Sequence, residues 1–238
     1  MPERFIFRQV DYRDISTFLD DGEIRAPNHA QHQLCHQTND PNINRRRANP
    51  IYNMPNGHVV HDYVAFYFSP FTSFTCSIHR GGVNVYYPNG LCLGESKLEN
   101  RVFIASKISA IFEARIHCCF SNLALNSYAS IPEIIEDPAQ LETHVNWHLF
   151  DENNITASIP EIGYNGVCKF FDNKATPAKD QNRKHQRMAE FLVHNSLSLH
   201  QVSCIVTPNN AKKDLIQTQM DASAWNIPVY AKSGCFVR

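Results

Sequence analysis

The sequence predicts an α+β fold, on three observations. Apolar residues alternate in short β-type runs that follow one another, rather than in strict exchange with helices. Helical spacing is confined to a few segments, chiefly 12–21, 138–150 and 209–225. The 238 residues, 43% of them hydrophobic, are enough for a sizeable core in one large domain or two small ones.

Residues 4–10 (RFIFRQV) alternate as a strand. Asp11 then precedes YRDISTFLDD, where Ile15, Phe18 and Leu19 share one face of a short helix that Gly22 closes. From Arg25 to Asn56 the chain is polar and rich in Asn, Gln, His and Pro; it is too long for an ordinary connection and reads as a functional loop. β-Type runs follow at 63–68, 74–79 and 83–88, with Gly81-Gly82 expected as a hairpin turn and Asn89-Gly90 as another. In 101–130, RVFIASKISAIF fits a strand and a helix start, while ARIHCCFSNLAL fits either a strand or a buried helical turn. Leu141, Val145 and Leu149 predict a helix over 138–150. Strands are expected at 164–171, 188–194, 201–207 and 227–231, with a helix over 209–225.

The formal net charge is −1, from 22 Lys+Arg against 23 Asp+Glu, which excludes binding a polyanion through a bulk positive coat. Charge is nevertheless segregated. Segment 131–161 carries Glu133, Glu136, Asp137, Glu142, Asp151, Glu152 and Glu161 with no Lys or Arg, a net −7. Segment 169–187 carries Lys169, Lys174, Lys179, Arg183, Lys184 and Arg187 against Asp172 and Asp180, a net +4. With Arg45-Arg46-Arg47 it is the place to look for a polyanion, against the plainer reading of solvated loop charge. The amino-terminal MPERFIFRQVDYRD lacks a signal peptide's apolar stretch, and no window approaches the ~20 apolar residues of a membrane span. The expectation is a cytoplasmic chain with no membrane partner. Eight cysteines (35, 76, 92, 118, 119, 168, 204, 235) show no CxxC spacing and several sit in apolar runs, so buried reduced thiols are expected.

His29, His32, Cys35 and His36 in NHAQHQLCH have zinc-ligand chemistry but no second ligand pair downstream, and are read as polar loop residues; no metal is expected. His58 and His61 are weighed the same way. GxGxxG, GxxxxGK[ST] and GxSxG are all absent. Glu190 stands out, because in RMAEFLVH it places a carboxylate inside a strand-like apolar run. An outward-facing residue is the plain account. Next to a basic loop, such a carboxylate also suits an anionic substrate that develops positive charge at one carbon.

Four ordered blocks resemble a known family. HDYVAFYFSP (61–70) looks like the DYVPFYFxPRSPM block of the DarT toxins, the DNA ADP-ribosyltransferases, and RMAEFLVH (187–194) is similar to their RQAEFLV block. Asp14-Ile15 through Phe18-Leu19 and Gly22 resemble the NLxSILxxG helix, and Ile43 to Arg47 resembles IxxRR. The resemblance implies a single catalytic domain over 1–238 with an ADP-ribosyltransferase-like split β-sheet core and peripheral helices. It implies a toxin that moves ADP-ribose from NAD+ onto a base in single-stranded DNA, and a cognate antitoxin that reverses the modification.

By the same resemblance Glu190 is the catalytic glutamate, and Arg46 and Arg47 are the arginine pair of which one acts near the target base. Arg8, Gln9, Asp14, Phe66, Tyr67 and Phe68 would hold NAD+. Lys169, Phe170, Lys174, Lys179, Arg183, Lys184 and Arg187 would engage DNA, with phosphates on the cations and a base stacked on Phe170 or Phe171. Departures are Arg8 where the family carries histidine, Ala65 for the PFYF proline, and Pro70-Phe71-Thr72-Ser73-Phe74 for PRSPM. They tilt the expected target toward guanine over thymine. Transfer to protein or RNA, and a catalytically silent binding module of the same fold, are the competing expectations.

Overall fold

The structure, a computed structural model, describes residues 2–38, 45, 47–48, 50–125 and 131–236. Eight strands form the main sheet: β1 (Phe5–Asp11), β3 (Tyr63–Tyr67), β6 (Arg101–Lys107), β7 (Cys118–Ser121), β8 (Ile134–Ile135), β9 (Glu190–His194), β11 (Val202–Thr207) and β12 (Val229–Ala231). Their order across the sheet is β12-β11-β6-β1-β3-β9-β7-β8. Two short pairs complete the strands among the described residues: β2 (Glu23–Arg25) with β10 (Ser196–Ser198), and β4 (Asn84–Tyr86) with β5 (Cys92–Glu95).

The sheet is split where β1 meets β3. β1 pairs with β6 along its full length and β3 pairs with β9 along its full length, yet β1 and β3 share only the pair Phe7↔Tyr67. Beyond that pair the two halves diverge, and Arg8 Nη1 reaches across to donate to the Ala65 carbonyl at 2.8 Å. A side chain thus takes a carbonyl that a continuous ladder would have bonded through its backbone.

Both faces of the central strands are buried, which is why β6 reads as an apolar run from Val102 to Ala105. One face packs Ile6, Val10, Val64, Phe66, Ile104 and Phe191 under Ile15, Phe18 and Leu19 of helix α1 (Ile15–Asp21) and under Ile216 and Met220 of the Asn210–Asp221 helix. The opposite face packs Phe5, Phe7, Phe103 and Val206 against Val167, Phe171 and Phe236. Gly22 ends α1 in the left-handed region, φ 72°, as its position after the apolar stripe predicts.

Three expected elements differ. Segment 74–79 is a helix, Ser73–His79, because the Thr72 side chain accepts from Thr75 N–H and caps it, while Thr75 and Ile78 bury one face at helical spacing. Gly81, at φ 79°, follows that helix instead of turning a hairpin. The 138–150 helix is broken: Val145 is extended between a turn at Leu141–His144 and a 3-10 turn at Trp147–Leu149, although Leu141, Val145 and Leu149 are all buried. Segment 164–171 forms only isolated bridges, Ile159↔Tyr164 and Ile155↔Cys168. All eight cysteines are free thiols, five of them buried.

Candidate active site

Glu190 is the first residue of β9 and lies opposite Tyr67, at the end of β3 beside the split. It is 2% exposed, and its backbone N–H donates to Ser121 Oγ at 2.9 Å. Its carboxylate accepts two parallel hydrogen bonds from Arg47, Nη1 to Oε1 at 2.8 Å and Nη2 to Oε2 at 2.7 Å. This fork-to-fork pair ties the loop after β2 to the sheet across 143 residues. Burial works against the charge on Arg47, but the Glu190 carboxylate outweighs it and holds the guanidinium pKa above its ordinary value. Burial, and then the Glu190 charge, push the Tyr67 phenol upward, so it is a neutral donor.

A cavity of about 480 Å³ opens at the split, within the usual range for a small-molecule site. Arg8, Gln9, Asp14, Arg47, Tyr67 and Glu190 all line it. Its walls hold buried polar atoms with no partner among the described residues: Arg8 Nε, both amide atoms of Gln9, His36 Nε2 and Arg101 Nε. Orphaned donors and acceptors of this kind cost stability unless a ligand or water takes them. Arg101 is 1% exposed; burial lowers its pKa to about 10 against the pull of Asp11. Burial likewise lowers the pKa of Arg8. The cavity is therefore cationic and under-bonded, a fit for a polar anionic ligand.

Other expected site residues fall elsewhere. Phe66 and Phe68 are 0% and 2% exposed on the α1 face of the sheet, because side chains alternate along β3 and only Tyr63, Ala65 and Tyr67 face the cavity. They form no stacking wall for a ligand. Arg187 is fully buried and donates to the carbonyls of Leu149, Phe170, Phe71 and Cys168 and to Ser69 Oγ. Arg183 is 1% exposed, paired with Asp180 at 2.9 Å and Glu152 at 2.6 Å. Both are internal struts, with no free donor fork to offer a phosphate. Lys179 is drawn to Glu152 at 3.1 Å. Lys169, Lys174 and Lys184 are exposed, and the ammonium groups of the first two lie 5.5 and 4.9 Å from the Phe170 ring. Arg46 lies outside the described residues. Arg25, His36, His61 and Arg101 also line the cavity, and none of them is among the residues expected to hold NAD+; the length of the polar loop is the signal for Arg25 and His36.

The family model of DarT, described as ssDNA thymidine ADP-ribosyltransferase, matches residues 7–237. The chain belongs to the DarT family. It is a DNA ADP-ribosyltransferase of that family, with the fold to match. Thermus sp. 2.9 DarT in complex with ADP-ribosylated ssDNA superimposes with a TM-score of 0.73 at 16% identity, over 98% of this chain and 96% of that one. Thermus sp. 2.9 DarT in complex with NAD+ gives a TM-score of 0.69 at 15% identity, over 98% of both chains. Thermosipho africanus DarTG in complex with ADP-ribose gives 0.63 at 12% identity, over 98% of this chain and 51% of that one. No curated protein matches the chain by sequence. In this DarT protein Glu190 and Arg47 are engaged with each other. Among the described residues no helix is long and apolar enough to cross a membrane.

Proposed function

We propose that the cavity at the split binds NAD+ as co-substrate and that ADP-ribose passes from it to a base of single-stranded DNA, guanine in preference to thymine. The observation that carries this is the convergence of Glu190, Tyr67, Arg47 and Arg8 on one cavity. Glu190 accepts a hydrogen bond from a hydroxyl of the nicotinamide ribose and stabilises positive charge at the anomeric carbon as the bond to nicotinamide breaks, the electron pair leaving with nicotinamide. A base nitrogen then bonds to that carbon and releases its proton. Arg47 must give up at least part of its grip on Glu190 for the ribose to enter, and it then stands beside the incoming base. Arg8 faces the pyrophosphate.

The guanine preference rests on Ala65, Ser73 and Phe74, which depart from the family's blocks and line the cavity. Lys169 and Lys174 beside Phe170, together with exposed Lys184, are the DNA contacts, a small footprint that suits a chain of near-zero net charge. In the cell the activity is that of a cytoplasmic toxin, restrained by an antitoxin that removes the modification. Labelled NAD+ incubated with oligonucleotides carrying a single guanine or a single thymine tests it. Label on the guanine strand is the expected result; label on thymine overturns the base preference, label on protein or RNA overturns the DNA acceptor, and none overturns the activity.

A further inference from the structure

His36 lies on the cavity wall in the loop after β2, and its contacts are one-sided. Its Nδ1 sits 2.6 Å from Asp14 Oδ1, and its backbone N–H donates to both oxygens of the same carboxylate at 3.0 and 3.1 Å. A carboxylate accepts, so Nδ1 carries the proton, and in that tautomer of the ring Nε2 is a bare acceptor. That Nε2 is buried and has no partner among the described residues. The side chain is 11% exposed, and the Tyr87 ring, 5.4 Å away, closes its outer side. Tyr87 belongs to the β4–β5 hairpin, which a reciprocal pair of backbone hydrogen bonds between Gln37 and Tyr86 ties to this loop. An imidazole so fixed, on the wall of a cavity with its acceptor unused, awaits a ligand donor.

Arg8 sets the position along the ligand. It lies within electrostatic reach of Tyr67 and Arg47, the partners of Glu190, and of Asp14, the partner of His36. With the anomeric carbon at Glu190 and the pyrophosphate at Arg8, the adenosine ribose falls at His36. Resting on the NAD+ reading of the cavity, we propose that His36, oriented by Asp14, accepts a hydrogen bond from a hydroxyl of the adenosine ribose and thereby selects the dinucleotide over nicotinamide mononucleotide.

Calorimetric binding of NAD+, ADP-ribose and nicotinamide mononucleotide to wild type, His36→Asn and His36→Ala tests this. His36→Asn keeps an amide donor for Asp14 and removes Nε2, so it separates the ligand contact from a purely structural one. Both variants are expected to weaken NAD+ and ADP-ribose roughly tenfold, the worth of one hydrogen bond, and to leave nicotinamide mononucleotide unchanged. NAD+ lacking one adenosine-ribose hydroxyl is expected to bind wild type as weakly as NAD+ binds His36→Asn; this comparison needs no variant to fold. Wild-type affinity in His36→Asn, or full affinity of wild type for both the 2′- and 3′-deoxy analogues, overturns the assignment. Failure of wild type itself to bind NAD+ overturns the cavity reading and the assignment with it.

Discussion

The Arg47–Glu190 pair concentrates the chemistry of the site in two side chains. Glutamine at position 190 preserves shape but not charge. Glu190→Gln is expected to lower transfer by about 10²–10³-fold, the usual cost of removing one preorganised electrostatic group, with NAD+ affinity changed far less; single-turnover rates against a binding isotherm check it. Arg187 lies three residues earlier in sequence and has the opposite kind of role. Truncating it strands the carbonyls of Leu149, Phe170, Phe71 and Cys168 in the interior. Arg187→Met is therefore expected to cost about 3 kcal/mol or more in a urea titration. The same variant, held folded, is expected to leave the salt dependence of DNA binding unchanged, whereas a phosphate contact would shift it. Sequence makes Glu190 visible because a carboxylate in an apolar strand run has no packing value. It does not distinguish Arg187 from its exposed neighbours, since a guanidinium is internal only by virtue of carbonyls that arrive from distant segments.

At the scale of elements, strand parity decides which side chains can act. β3 is legible as a strand from YVAFYF, but its register relative to the split is not, and so sequence groups Phe66 and Phe68 with Tyr67 although they face away from it. Period alone gives two faces, and only the neighbours β1 and β9 say which is open. The Ser73–His79 helix is hidden for a related reason: FTCSI has β propensity, and the Thr72 cap with the burial of Thr75 and Ile78 overrides it. The basic loop is legible as charge yet divides in three dimensions. Arg183 and Lys179 are consumed by Glu152 and Asp180, which also gives the acidic 131–161 segment a task in holding the loop. Lys169 and Lys174 flank Phe170 and are open to solvent. Replacing both with alanine is expected to leave stability within about 0.5 kcal/mol. The slope of log affinity against log salt for a single-stranded oligonucleotide should become shallower by about 0.7 for each phosphate that is no longer neutralised. An unchanged slope would remove this loop from the DNA interface.

Over the whole molecule, the histidines couple the site to the fold. His61 lines the cavity, and burial, then the nearby Arg47 charge, hold its pKa below the ordinary value against the pull of Asp62. His194 ends β9, the strand that Glu190 begins, and its ring lies 4.5 Å from His58 and 5.2 Å from His117. Burial lowers its pKa first, then electrostatic repulsion from those two neighbouring rings, again against Asp62. His58 is 3.4 Å from Asp62, and His117 is 2.5 Å from Glu136, so each flanking ring has a carboxylate of its own, while the central one feels Asp62 only at longer range. An unfolded chain takes up protons on both His61 and His194 near the ordinary imidazole value of about 6.5, while the folded chain resists until a lower pH. The stability they contribute is complete above that value and is lost as pH falls through the folded values. Asp62 also has a depressed pKa, set by its hydrogen bonds from Val59 N–H and the Asn28 amide outweighing burial, and loses its contribution at still lower pH, in the same direction. Asp14, raised by burial despite His36, runs the other way within the carboxylate range. Urea midpoints measured between pH 7.5 and 5.5 are therefore expected to fall, and His194→Asn is expected to flatten that fall. Because β9 carries both His194 and Glu190, the loosening should reach the split sheet, so that transfer activity declines over the same interval. A flat stability profile across this range, or a slope that His194→Asn leaves untouched, would show that the histidine cluster is not what makes the fold acid-sensitive.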